Sequence, residues 1–65
     1  MSTIGKNIKR LRQAKGISQD RLSKLADISL QTVVKIELNE NLNPTIDTVQ
    51  KIAKALETGI DELMK

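Results

Sequence analysis

Apolar residues at Ile4, Ile8 and Leu11 fall at i, i+4 and i+7, which lays one apolar stripe along a first helix over about residues 3–15. Gly16 follows the last periodic residue, where a left-handed cap is least costly for glycine. Ser18 then has the character of an N-cap, with Asp20 in the positive first turn, and Leu22, Leu25 and Ala26 form the inner face of a second helix over 19–26. After a break at Asp27 and Ile28, Ser29 caps a third helix over 30–38. The segment Asn39 to Pro44 is rich in turn formers, and Pro44 ends any upstream helix. Thr45 opens a fourth helix over 46–56, with Ile46, Val49, Ile52, Ala53 and Leu56 directed inward; a short fifth helix over 60–64 docks through Ile60 and Leu63. No alternating strand pattern, repeat or linker interrupts this order. The pattern predicts an all-α, compact five-helix fold in a single domain, 1–65.

Composition narrows what such a domain does. The chain has 65 residues, 38% of them hydrophobic, enough for one core and no second layer. It has no Cys, which excludes disulfides, zinc–thiolate sites and thiol nucleophiles, and no His, the commonest metal ligand and proton carrier near neutral pH. The absence of Phe, Tyr and Trp removes the stacking platforms on which single-strand binders rely. An enzyme of this composition would need a carboxylate or lysine site in a pocket that so small a domain hardly has room to form. No cofactor, metal or small-molecule ligand is therefore expected, and no catalysis. No apolar run reaches the roughly 18 residues of a membrane span and no signal-peptide core opens the chain, so the expected location is cytoplasmic.

Charge adds a direction. Residues 1–36 carry eight Lys or Arg against Asp20 and Asp27, a net of +6, whereas residues 37–65 net −3, within an overall +3. A basic half suggests a polyanionic partner, although a lysine-rich solvated surface gives the same count.

The segment Gln19 to Glu37 holds two short helices joined by a turn of about three residues, with apolar Leu22, Ala26, Ile28, Val33 and Ile36. Together with "RQAKGISQDRLSKLA", "ISLQTVVKIE", "NPT" and "IAKALETGIDEL", it resembles the phage lambda-repressor/Cro-like (XRE-type) helix-turn-helix family, from Ile4 to Leu63. The resemblance implies a sequence-specific double-stranded DNA-binding transcriptional regulator, acting as a homodimer, with its third helix in the major groove. On that helix Val33 and Ile36 point inward, which leaves Gln31, Val34, Lys35 and Leu38 outward, flanked by Leu30 and Thr32. Gln31 pairs donor with acceptor, as adenine requires; Lys35 reaches guanine acceptors or a phosphate; Leu30 and Val34 suit thymine methyls. By position the family's base-reading residues fall on Leu30, Gln31 and Lys35, with Ser29 and Thr32 beside them. Gln19, at the start of the second helix, suits a phosphate, with Arg10 and Arg12 nearby and Asn41 and Asn43 in the later loop. Each of these also reads as ordinary solvated helix or loop surface. The resemblance further pairs Arg12 with Glu37, tying the first helix to the third.

Departures from the family pattern matter as well. Asp27 replaces the usual turn glycine, at tolerable cost for Asp in the left-handed region; Ser23 replaces a small alanine; Glu57 replaces a glycine, which predicts a weaker cap after the fourth helix. The loop holds Glu40, Asn41, Leu42 and Asn43 where relatives carry cations, which predicts modest affinity for a monomer. Leu30, Val34 and Leu38 form an outward apolar stripe with Leu42 beyond it. It serves thymine methyls and a dimer contact through Leu38 and Leu42, or a protein-docking groove of an antitoxin-like or bridging module, or it folds Leu38 and Leu42 back into the core.

Overall fold

A computed structural model describes residues 4–40 and 43–65. The chain forms α1 (Ile4–Ala14), α2 (Gln19–Ala26), α3 (Leu30–Glu37), α4 (Ile46–Ala55) and α5 (Ile60–Met64), with no strand among the described residues. Helices α2, α3 and α4 each begin at an extended N-cap whose hydroxyl accepts from the third backbone N–H onward: Ser18 from Arg21, Ser29 from Thr32, Thr45 from Thr48.

Helices α1 to α4 end by one device. Gly16, Asp27, Asn39 and Glu57 all take positive φ, at 69°, 57°, 62° and 56°. The next residue in each case folds its N–H back five positions, Ile17 to Arg12, Ile28 to Ser23, Glu40 to Lys35 and Thr58 to Ala53, at 3.3, 3.0, 2.8 and 2.9 Å. The expected weak cap at Glu57 is thus a formed cap that lacks glycine, and the side chain bears the left-handed strain.

The core is built from Ile8, Leu22, Val33, Ile36, Ile52, Leu56 and Leu63, where all five helices meet. Helix α3 lies against α1 and α2, α4 against α2 and α5, and α5 against α1. Two inward assignments are corrected. Leu25 is 47% exposed and Ile46 is 66% exposed. In α2 the buried residues are Leu22, Ser23 and Ala26, so the core-facing line runs on the side of Ser23 and Leu25 lies about 110° from it at 100° per residue. Ser23 fits there because it is small and its hydroxyl donates to the Asp20 carbonyl at 2.6 Å. Ile46 sits in the first turn of α4, about 70° from the line through Val49, Ile52, Ala53 and Leu56.

One contact governs how α1 meets α3. Gly5 is buried in α1, and a Cβ on it would collide with the carbonyl oxygen of Ile36 and come within 2.9 Å of Asn39 Oδ1. The helices approach backbone to backbone at this point. At the other end of the interface set, Asn7 Nδ2 donates to the Leu63 carbonyl at 2.9 Å and fastens α5 to α1.

Candidate nucleic-acid interface

The geometry starts at a carboxylate. Glu37, in the last turn of α3, has a side chain only 2% exposed. Its two oxygens accept from Arg12 Nε at 2.7 Å and Arg12 Nη2 at 3.0 Å, a bidentate fork between α3 and α1. The remaining arm of the guanidinium, Nη1, donates to the Ile17 carbonyl at 2.9 Å. The hydrogen bond to Glu37 raises the pKa of Arg12 from an already high value, against the opposing effect of burial, so the guanidinium stays charged. The pairing expected between these residues is therefore present. With three bonds made inside the fold and an 11% exposed side chain, Arg12 belongs to the scaffold first.

Gln19 joins the same carboxylate. Its Nε2 donates to Glu37 Oε1 at 3.0 Å, a link that helical spacing does not reveal. Gln19 is half-buried at the first position of α2, and the Ser18 hydroxyl takes the Arg21 N–H of that first turn.

Helix α3 presents its outer face from a fixed base. Val33 and Ile36 are buried at 1% and 0% exposure, so the rotation of the helix about its axis is set by the core. Gln31 and Lys35 are consequently exposed, Val34 and Thr32 half-buried, and Leu30 43% exposed. At the start of the helix Ser29 Oγ lies 2.7 Å from Thr32 Oγ1 and accepts from the Thr32 N–H at 3.1 Å, so these two residues engage one another. Leu38 is 62% exposed, which overturns the reading that folds it into the core. Leu42 and Asn41 lie outside the described residues, and Asn43 is exposed. Arg10 is exposed on α1, with Nη2 at 3.4 Å from Asn7 Oδ1.

Helices α2 and α3, joined through the left-handed Asp27 and the N-cap Ser29, match a helix-turn-helix family description that covers residues 8–63. The chain belongs to the helix-turn-helix family. Within this helix-turn-helix chain the matched span takes in α2, α3 and α4 whole and all but the first turn of α1. Two similar proteins are described as HTH-type transcriptional regulator SinR, from Bacillus subtilis (strain 168) and Bacillus licheniformis. Each is 31% identical over 61 residues, which is 94% of this chain and 55% of the relative. The chain thus spans about half the length of the curated relatives it matches. No solved structure matches it.

Among the described residues, no helix is long and apolar enough to cross a membrane, and no group of acidic side chains is placed to hold a metal ion.

Proposed function

We propose that this chain is the DNA-binding part of a transcriptional regulator and reads double-stranded DNA in a sequence-specific manner. The observation that carries the proposal is the outer face of α3, where Gln31 and Lys35 stand exposed on a helix whose rotation is locked by Val33 and Ile36. In a helix-turn-helix the second helix of the motif enters the major groove and the first crosses the backbone. Gln31 then addresses adenine, Lys35 guanine or phosphate, and Leu30 and Val34 the methyl groups of thymine. Ser29, Gln19 and Arg10 hold the backbone, with Thr32 beside the bases and Asn41 and Asn43 supplying polar loop contacts. The chain acts as a homodimer, with the exposed Leu38 and its loop neighbour Leu42 at the contact between copies. Such a dimer reads two half-sites about 34 Å apart, one turn of the duplex. The role of the similar SinR proteins as transcriptional regulators supports this reading.

The test is selection of bound duplexes from a random double-stranded pool at about 100 mM salt, where phosphate contacts still contribute. Enrichment of a palindrome with half-sites about 10 bp apart is the expected result. A single enriched half-site would retain DNA reading and remove the dimer. No enrichment would remove DNA reading and leave the Leu30/Val34/Leu38 stripe as a protein-docking surface.

A further inference from the structure

The buried carboxylate does more than join two helices. We infer that Glu37 is a positioning residue for DNA binding, which orients the Gln19 amide so that one N–H is held inside the fold and the other is presented to a single backbone phosphate. The inference rests on the DNA-binding reading above and adds to it a role for a side chain that touches no DNA.

Glu37 is acceptor-only when ionised, and its Oε1 takes both Arg12 Nη2 and Gln19 Nε2, each at 3.0 Å. The Gln19 amide therefore cannot flip, because its carbonyl would then face a carboxylate oxygen. An amide has two N–H groups, and Glu37 receives one of them; among the described residues the other has no partner within the chain. That second N–H sits at the first position of α2, beside backbone N–H groups that precede the first intrahelical bond, Leu22 to Ser18. There the Gln19 and Asp20 backbone N–H groups have no helical partner, the Arg21 N–H is taken by Ser18 Oγ, and the one carboxylate of that turn, Asp20, is paired with Lys24 at 3.1 Å. The anion that fixes the amide is itself neutralised by the Arg12 fork and is 2% exposed, so its repulsion of a phosphate is small. An unanchored glutamine would have to lose its rotamer freedom on binding; this one has lost it on folding.

The test uses the duplex recovered in the selection, remade with one neutral methylphosphonate linkage at each backbone position in turn. The wild-type chain is expected to lose about tenfold in affinity at one linkage beside α2, the size of one hydrogen bond to a charged group. Gln19→Ala should lose nothing further at that linkage. Glu37→Met should also become insensitive there while keeping its losses at linkages elsewhere. Glu37→Gln would not serve, because an amide oxygen in the place of Oε1 still accepts from both Arg12 Nη2 and Gln19 Nε2, whereas methionine has a similar volume and offers no oxygen, so Gln19 is released. A Glu37→Met chain that still loses tenfold at that linkage overturns the inference. A Gln19→Ala chain that keeps the sensitivity overturns it too, while leaving DNA binding intact; no enriched duplex at all overturns the DNA-binding reading and the inference with it.

Should Glu37→Met fail to fold, the side-chain amide protons of Gln19 in the wild-type chain decide by NMR. One proton protected before and after DNA is added, with the other shifting only on binding, supports the inference. Two freely exchanging protons in the unbound chain overturn it.

Discussion

Glu57 and Gly5 show how much a single backbone position demands. Glu57 adopts φ of 56°, a conformation that costs a non-glycine residue roughly 1–2 kcal/mol, and its carboxylate makes only an exposed ion pair with Lys15 at 3.0 Å. Glu57→Gly is therefore expected to stabilise the fold by roughly 0.5–1 kcal/mol, after the added unfolded-state entropy of glycine is allowed for. An unchanged or lowered thermal midpoint would show that the strain is already relieved. Gly5 runs the other way. In an exposed helix Gly→Ala adds about 1 kcal/mol of stability, but here the new methyl meets the Ile36 carbonyl, so Gly5→Ala should destabilise by about 2 kcal/mol. Chemical denaturation of the two variants gives both signs directly.

The three-helix junction of Arg12, Gln19 and Glu37 is where elements are held in register. Removing the carboxylate leaves a guanidinium with an 11% exposed side chain that retains only its bond to Ile17. Glu37→Ala should cost about 3 kcal/mol and reduce DNA affinity as well. Loss of affinity with an unchanged melting temperature would count against the structural role. Gln31→Ala and Lys35→Ala touch only the outer face of α3, so they should leave stability within about 0.5 kcal/mol of wild type while relaxing base preference by about 1–3 kcal/mol at separate positions. Repeating the duplex selection with each variant identifies the position it reads. The resemblance led directly to the Arg12–Glu37 pair, because its two members hold fixed places in the family pattern. The Gln19 link was not legible in that way, since it depends on where the start of α2 comes to rest against the end of α3.

For the molecule as a whole the uneven charge sets how binding responds to salt. The basic residues 1–36, at a net +6, include the exposed Arg10 on α1. Arg10→Ala should weaken binding to all duplexes alike and reduce the slope of log K on log salt by about 0.9 if it holds one phosphate. A change confined to one sequence would assign it to base reading instead. Leu38, 62% exposed and beyond the reach of the core, belongs to association between copies on our reading. Leu38→Asp should then lower the apparent mass in sedimentation without changing the unfolding midpoint.

The helix order, the N-caps at Ser18, Ser29 and Thr45, and the left-handed end at Gly16 were all determined by local chemistry, and they are as the sequence predicts. Hydroxyl caps, turn residues and 3.6-residue periodicity act within a few positions of the chain, so they are readable one segment at a time. The outward face of α3 was legible for the same reason: Val33 and Ile36 define its inner line. Periodicity shows which side of a helix is apolar but not how much of that side a neighbour covers. The packed helices alone decided that Leu25 and Ile46 stay outside, that Gly5 admits the Ile36 carbonyl, that Asn7 reaches the Leu63 carbonyl, and that Gln19 shares its carboxylate with Arg12. Gly5 alone carried a sequence signal, a glycine inside an amphipathic helix, where its cost calls for a close approach. The others depend on distances between segments far apart in the chain, which exist only once the core has closed.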